Sequence, residues 1–282
     1  MSLLSRVQAY MEKLAPLRLA AGSWDNVGTL LDPPKSRANA NKVFLTIDLT
    51  DESLKEALSD EKVGVIIAYH PPIFVGWKSL VKSDYKKNII LQAAIEGVSI
   101  YSPHTALDSC KLGINNWLCS RLGEGKSSPI TPIVDPTLVD QEGAGEGRIL
   151  VLDTPMPLSL LIKKVKKNFN LEHVRVARSK NHHKSSELDH PIKTIAICAG
   201  SGISVIKNSK VDLFFTGEMS HHDILAAVSS DTSCILVEHS NSERGYLEIL
   251  KGFLEKGLNS DGHGDQVSIV VSQTDSDPIL IE

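Results

Sequence analysis

Residues 63–74 read VGVIIAYHPPIF, an apolar run that ends in a tyrosine, a histidine and two prolines. A continuous apolar run of this length is typical of a strand buried on both faces, as in a parallel sheet. Pro71 and Pro72 end the strand because proline has no N–H to give to the sheet. Pro71 also restricts the residue before it to extended geometry. The stretch therefore predicts a buried strand that presents His70 at its carboxyl end on a stiff backbone.

Strands and helices alternate on both sides of this run. Upstream, VFLTIDL (43–49) predicts a strand, and Thr50 or Asp51 can cap the helix that follows it. Downstream, the strand VSIYS (98–102) follows a further helix, and the same alternation resumes after residue 147. This order predicts an α/β fold with mostly parallel sheets whose faces are covered by helices.

Residues 123–147 differ in composition from the alternating segments. They are rich in Gly, Ser and Pro, as in GEGKSSPITP and DQEGAGEG, which is typical of a linker or a domain boundary. The sequence therefore predicts two α/β lobes joined by a linker at 123–147. The first lobe is expected from residues 1–125 with about 236–282, and the second from about 145–235.

Composition narrows the class of protein. The chain has 282 residues, 41% of them hydrophobic, and a net charge of −4, so we expect a soluble globular protein without strong affinity for nucleic acid. The four cysteines form no C-x-x-C motif and predict reduced thiols. No apolar run reaches the roughly 18–20 residues of a membrane span, so no membrane partner is expected. These features predict a cytoplasmic protein, with the nucleus as the alternative.

Polar side chains collect where the predicted strands end, which is where open α/β sheets bind ligands. They are imidazoles and carboxylates for the most part, the ligands of divalent transition metals. In chain order they are Asp48, His70, His104, Asp108, Glu218, His221, His222, Glu238, His239 and Glu243. Ser240 or Asn241 can cap the last helix, which would place Glu243 in its first turn. A carboxylate there is also favoured by the helix dipole, so Glu243 alone is weak evidence for a metal.

A single histidine after a strand is more often structural than a metal ligand, and His221 with His222 more often lies on a solvated helix start. The prediction of a metal site rests instead on the coincidence of several such sets at strand ends. The segment AGSG (199–202) lacks the full G-x-G-x-x-G and favours a tight turn over a phosphate loop. No Walker A sequence and no G-x-S-x-G elbow occurs, so the motifs of P-loop enzymes and of serine hydrolases are absent from the sequence.

Six segments, in this order, resemble the family of yeast Ngg-interacting factor three and its bacterial relatives, which is sometimes labelled type-two GTP cyclohydrolase homologues. They are SWDNVGTLL (23–31), IAYHPPIF (67–74), SPHTALD (102–108), AICAGSG (196–202), DLFFTGEMSHHD (212–223) and EHSNSERGY (238–246). The resemblance implies two α/β lobes with a metal cleft between them, and homo-oligomers that in bacterial members are commonly hexameric rings. The family name also implies a protein partner in transcription.

The resemblance further implies the roles of single residues. His70, Asp108, His239 and Glu243 match family metal ligands, and Glu243 matches the one that bridges two ions. Asp25, Asn26 and Glu218 match residues that line the cleft, and His104 is expected beside the ligands or as a reserve ligand. Tyr69, His221 and His222 are also expected beside the ligands or in the cleft.

Tyr69 is a departure from the family pattern, which usually begins with two adjacent histidines. A neutral phenol is a poor metal ligand beside an imidazole. We therefore expect one or two divalent ions per chain, with Zn, Fe, Mn and Mg all open.

Two functions remain open at this point. The first is a metal-dependent hydrolase of a phosphoester or nucleotide-like substrate, with Glu218 or His104 as the general base. The second is a non-enzymatic interaction protein, a partner of a transcription adaptor, in which metal has a structural role. A third and weaker idea is nucleic-acid binding through the basic run KKVKKNF (163–169), which more often forms a solvated helix face.

Overall fold

The computed structural model describes residues 1–182, 190–263 and 265–279. In chain order, the strands are β1 (Gly28–Leu31), β2 (Lys42–Thr46), β3 (Val63–Ala68), β4 (Ser99–Ser102), β5 (Gly125–Ser128), β6 (Thr131–Pro132), β7 (Gly145–Glu146), β8 (Arg148–Met156), β9 (Arg175–Ala177), β10 (Ile192–Ile197), β11 (Leu213–Thr216), β12 (Ser233–Leu236) and β13 (Ser268–Val271). The helices are α1 (Leu3–Leu14), α2 (Asp51–Ser59), α3 (Tyr85–Ile95), α4 (His104–Ser109), α5 (Ile114–Leu122), α6 (Leu158–Asn168), α7 (Ile203–Ile206), α8 (His221–Ser229) and α9 (Leu247–Leu258). The predicted α/β fold is confirmed.

The chain forms two compact units. The first comprises Met1–Leu107 and Tyr246–Ser276, and the second comprises Asp108–Gly245 and the residues from Asp277 onward. No helix in the described parts of the chain combines the length and the apolar character that a membrane crossing requires.

The first unit is built on a five-stranded sheet with the order β1-β4-β3-β2-β13. Its strands are parallel except for β1, which runs antiparallel to β4. All six residues of β3 are buried, as the apolar run predicts. Side chains of β2, β3 and β4, among them Phe44, Ile66 and Ile100, form one core cluster with side chains of α2 and α3. The parallel direction places the residues that follow β2, β3 and β4 at one edge of the sheet.

The second unit is built on a six-stranded sheet with the order β5-β8-β10-β11-β12-β9. The three strands β10, β11 and β12 are parallel, whereas β5, β8 and β9 pair antiparallel with their neighbours. The stretch 123–147 lies within this unit and contributes β5 and the small β6-β7 pair. The carboxyl ends of β10, β11 and β12 again share one edge, and they lead into the loops that carry Gly200, Glu218 and His239.

Glu243 does not lie in the first turn of the last helix, so that prediction is wrong. Two short 3-10 turns, Ser240–Ser242 and Arg244–Tyr246, precede α9, and Glu243 stands between them. The physical reason lies in the serines, which compete with helical backbone hydrogen bonds. Ser242 donates its hydroxyl to the carbonyl of His239 (2.6 Å) and accepts the N–H of Gly200 (2.8 Å). The chain therefore stays in tight turns until Leu247.

Candidate functional site

His70 is fixed through its backbone and through its side chain. Its N–H donates to the carbonyl of Ile47 (3.0 Å), which extends the pairing of β3 with the β2 segment past the end of both strands. Its Nδ1 lies 3.0 Å from Oδ1 of Asp48. A carboxylate at Nδ1 favours the tautomer that carries its proton on Nδ1 and a lone pair on Nε2, and metal-ligating histidines are oriented in this way. The first unit thus presents one imidazole in the orientation of a metal ligand.

His104, the first residue of α4, pairs with a buried carboxylate. Its Nδ1 lies 2.6 Å from Oδ1 of Asp25, and Oδ2 of Asp25 accepts the backbone N–H (3.2 Å) and the hydroxyl of Thr105. Burial opposes ionisation of Asp25, but the hydrogen bonds from His104 and Thr105 outweigh it and hold the pKa of this carboxyl below its usual range. Asp25 therefore remains negative near neutral pH and orients His104, as a carboxylate orients a general base.

Tyr69 packs against both of these imidazoles within the first unit. Its ring centroid lies 4.9 Å from that of His70 and 5.5 Å from that of His104, and the two imidazole centroids are 5.5 Å apart. The side chain is buried, and its backbone carbonyl accepts the hydroxyl of Ser102 (2.8 Å). Tyr69 therefore places a phenol ring beside His70 and His104.

His239 in the second unit is placed between two carboxylates. Its Nδ1 lies 2.7 Å from Oε1 of Glu218, and its Nε2 lies 3.5 Å from Oε1 of Glu243. Glu243 is only 2% exposed. Removing an ionised carboxylate from water costs free energy unless a positive or hydrogen-bonding group compensates it. The second unit thus repeats the pattern of the first, a carboxylate at Nδ1 of an imidazole, and adds a buried carboxylate at Nε2.

Gly200 keeps space open beside these donor atoms. A Cβ at this position would lie 2.8 Å from Oε1 of Glu243 and 2.9 Å from Nε2 of His239. Its φ of +59° also favours glycine. The space beside a carboxylate oxygen and an imidazole nitrogen is therefore too small for a methyl group, and its donor set suits a divalent cation. These residues fit a metal ion.

Glu238 holds a strained backbone directly before His239. Its φ is +70°, a conformation that costs a non-glycine residue about 1–3 kcal/mol. Arg175 holds the Glu238 carboxylate with a hydrogen bond from Nη2 to Oε2 (3.1 Å) and an ion-pair contact between Nε and Oε1 (2.6 Å). Bidentate pairs of this kind are strong and geometrically specific. The pair stabilises the turn that directs His239 toward Glu243.

Asp108 is placed in α4 at the start of the second unit. Its backbone carbonyl accepts Nδ2 of Asn115 (3.2 Å), and Oδ1 of the same asparagine accepts the N–H of Ala199 (3.0 Å). Burial raises the pKa of the Cys198 thiol, and the negative charges of Asp108 and Glu243 are among those that raise it further. Both carboxylates therefore lie within electrostatic reach of one thiol at the end of β10.

His221 and His222 start α8, are exposed, and pack against each other with centroids 5.5 Å apart. Among the described residues, neither forms a hydrogen bond or an ion pair with His239 or Glu243.

Sequence reasoning missed the partners of the two oriented imidazoles. Asp48 was visible as the polar residue after the first strand, but nothing in the sequence joined it to His70. Gly200 was visible in AGSG, where the pattern indicated only a tight turn. The roles of Asp48 and Gly200 depend on which strand ends lie side by side in the folded sheets. The sequence alone does not give this strand order.

Comparison with known proteins gives a match over nearly the whole chain. The family model described as Duf34/NIF3 (NGG1p interacting factor 3) matches residues 2–278. The chain is 39% identical to a protein NIF3 homolog of Schizosaccharomyces pombe over 98% of this chain and 96% of that one. It is 35% identical to the NGG1-interacting factor 3 of Saccharomyces cerevisiae, over 99% of this chain and 96% of that one.

Solved structures show the same fold at lower identity. A hypothetical protein of Staphylococcus aureus superposes with a TM-score of 0.81 at 24% identity and covers 99% of both chains. A Bacillus cereus protein related to NIF3 superposes with a TM-score of 0.78 at 18% identity, over 99% of this chain and 98% of that one. At these identities the likeness concerns the fold alone.

Proposed function

Because the chain belongs to the Duf34/NIF3 family, we propose that it is a divalent-metal-dependent hydrolase. The proposed metal ligands are His70, Asp108, His239 and Glu243. The observation that carries the proposal is the repeated carboxylate–imidazole pair, Asp48–His70 and Glu218–His239. Such outer carboxylates are typical of metal-ligating histidines.

The donor set supports at least one ion. His70, His239 and Glu243 together offer two imidazole nitrogens and one carboxylate oxygen, the composition of many catalytic zinc sites that keep a position open for water. Tyr69 supplies a neutral phenol, a poor metal ligand, at the position where the family usually has a second adjacent imidazole, so we propose one tightly bound ion. A divalent ion in such a site lowers the pKa of a bound water and polarises a phosphoryl oxygen.

His104 is the proposed general base. Asp25 holds its Nδ1 at 2.6 Å, which leaves Nε2 as the ring atom that would accept a proton. Glu218 was the other candidate, but its hydrogen bond to Nδ1 of His239 favours a positioning role. The proposed substrates are phosphoesters or nucleotide-like molecules, because a single divalent ion beside a base suits hydrolysis of a phosphoryl bond.

A substrate screen with metal analysis tests this function. The wild type, Glu243→Gln and the exposed control Glu248→Gln are assayed with phosphomonoesters, phosphodiesters and nucleotides after loading with Zn, Mn, Fe or Mg. Metal-dependent hydrolysis is expected in the wild type and the control, and Glu243→Gln is expected to lose bound metal and at least about 100-fold in rate. If Glu243→Gln retains both metal and rate, the assignment of Glu243 is wrong.

A second candidate is a non-enzymatic interaction protein. The observation that favours it is the printed name of the Saccharomyces cerevisiae relative, NGG1-interacting factor 3. In this case a transcription adaptor would bind wild type and Glu243→Gln equally, and no substrate would be turned over. Strong metal-dependent turnover would count against it.

Assembly into a homo-oligomer, with a hexameric ring as the specific form, is also part of the proposal. Its support is the resemblance to the bacterial members of the family. Light scattering on the purified chain measures the mass directly, and a monomer mass of 30.7 kDa would contradict it.

A further inference from the structure

Two exposed aromatic side chains flank the proposed base within the first unit. Trp24 is 56% exposed and Phe74 is 44% exposed, although each is a large apolar side chain. Their ring centroids are 6.1 Å apart, and each lies close to the imidazole of His104, at 6.0 Å for Trp24 and 6.4 Å for Phe74. A single exposed aromatic residue needs no explanation. By contrast, two exposed aromatic rings in contact with each other and beside an oriented histidine do call for an explanation.

The loops that carry Trp24 and Phe74 are fixed by hydrogen bonds. The N–H of Trp24 donates to the carbonyl of Ala21 (3.1 Å), and the next residue, Asp25, is fixed to His104 and Thr105. Asn26 donates its Nδ2 to the carbonyl of Ile73 (2.6 Å), which joins the loop of Trp24 to the loop of Phe74. The rings are therefore held in an exposed position by buried or half-buried hydrogen bonds. A surface that is ordered before its ligand arrives loses little entropy on binding.

We propose that Trp24 and Phe74 form an aromatic platform that binds the flat heteroaromatic ring of a mononucleotide-sized substrate. The role rests on the proposed hydrolase function, and it names the substrate class for the same site. Centroids 6.1 Å apart belong to rings already in contact. A further ring therefore stacks on the exposed surface of the pair, not between its members. Because every nucleobase has a π-face, stacking accepts purines and pyrimidines alike.

A free nucleotide fits the platform better than a nucleic-acid strand. Proteins that bind single strands combine stacking rings with a positively charged groove along the backbone. This chain has a net charge of −4, and the charged partner described beside the platform is the carboxylate of Asp25. The imidazole of His70, a proposed ligand in the same unit, has its centroid 5.5 Å from that of His104, so the platform and this ligand lie beside the same imidazole.

Calorimetry on the full chain after treatment with a chelator tests the platform without any metal. The probes are AMP, GMP and ribose 5-phosphate, which has the same phosphate and sugar but no ring. We expect the two nucleotides to bind and ribose 5-phosphate to bind much more weakly. Trp24→Ala should weaken AMP binding about ten-fold, whereas Trp24→Phe should retain most of it because a ring remains. Tyr85→Ala is the matched control, since Tyr85 is 60% exposed in the same unit and should have no effect.

Several results would overturn the platform. Equal binding of AMP and ribose 5-phosphate would do so, as would wild-type AMP affinity in a Trp24→Ala variant whose circular dichroism is unchanged. An oligonucleotide that binds more than about ten-fold tighter than AMP would assign the rings to a nucleic-acid strand. A lower assembly mass for Trp24→Ala, with no ring-specific binding by the wild type, would assign them to an interface between copies.

The test separates this inference from the hydrolase proposal. His239→Ala removes a proposed metal ligand, so it should abolish hydrolysis, and the chelated variant should still bind AMP more tightly than ribose 5-phosphate because the rings remain. If nucleotides bind and no hydrolysis is found, the platform stands and the hydrolase proposal fails. If hydrolysis of ring-free phosphoesters is found without nucleotide binding, the platform fails alone.

Discussion

Asp48 sets the orientation of His70 through one hydrogen bond of 3.0 Å. Asp48→Asn keeps the size of the side chain but removes the negative charge that favours a proton on Nδ1. We expect the affinity for Zn to fall about 10–100-fold, as for other outer carboxylates of metal sites. A competition titration with a chromogenic chelator measures this change. Asp51→Asn is the control, because it removes the same charge three residues away; equal affinity in both variants would refute the role of Asp48.

Gly200 is the second test at the scale of one residue. Gly200→Ala places a methyl group against Glu243 and His239, so we expect metal binding to be lost or reduced by at least about ten-fold. The control is Gly143→Ala, where φ is also positive (+82°) but nothing lies within 4 Å of the new Cβ. Both variants incur backbone strain of about 1–2 kcal/mol. Only Gly200→Ala should change the chelator titration, and a parallel loss in both would mean that strain alone is responsible.

Single residues at strand ends could be found from the sequence, but their partners could not. The sequence shows an apolar run followed by His70 and two prolines, and the structure places His70 just past the end of β3. The hydrogen bond of His70 with Asp48 joins residues 22 positions apart and depends on the pairing of β2 with β3. The positive φ of Glu238 has no sequence signal either, because it is maintained by Arg175 from another strand.

At the scale of elements, Glu56 joins α2 to the chain after β13. Its carboxylate accepts the hydroxyls of Ser272 (2.7 Å) and Thr274 (2.8 Å) and the N–H of Gln273 (2.9 Å). Burial acts to raise the pKa of Glu56, but these hydrogen bonds outweigh it and hold the pKa below its ordinary value of 4.5. The stability that Glu56 contributes is therefore complete above that ordinary value and is lost as the pH falls through the lowered pKa.

Glu56→Gln should lower the melting temperature at pH 7 by about 2–4 °C, the equivalent of about 1 kcal/mol for a domain of this size. The difference from the wild type should shrink as the pH falls below 4.5, where Glu56 itself becomes protonated. Thermal unfolding followed by circular dichroism at several pH values measures both effects. Glu52→Gln, on the exposed side of the same helix, should shift the melting temperature little at any pH. A pH-independent difference for Glu56→Gln would contradict the electrostatic explanation.

Elements with a strong apolar pattern were predictable, and polar ones were not. The six buried residues of β3 give a clear strand signal. In contrast, all four residues of β5 (GKSS) are exposed, and in the sequence they read as part of a linker. The predicted start of α9 was wrong because Ser242 holds the preceding residues in tight turns through hydrogen bonds with His239 and Gly200. Side-chain hydrogen bonds of this kind depend on the tertiary structure.

At the scale of the whole molecule, alternating strands and helices were enough to predict the α/β class. Strand order could not be predicted in the same way. In the second unit β8 and β9 run antiparallel to their neighbours, although each also alternates with helices in the sequence. Direction and order depend on contacts between segments that are distant in the chain, and a local pattern does not record them.

The central claim is the proposal that His70, His239 and Glu243 bind one divalent ion. The most direct test is the metal content and Zn affinity of wild type, His70→Ala and His239→Ala, measured by elemental analysis after dialysis and by chelator competition. Each substitution removes a ligand of the same site, so either one should abolish tight binding of the same ion. If His70→Ala keeps the stoichiometry and affinity of the wild type while His239→Ala loses them, His70 is not a ligand and the claim is wrong.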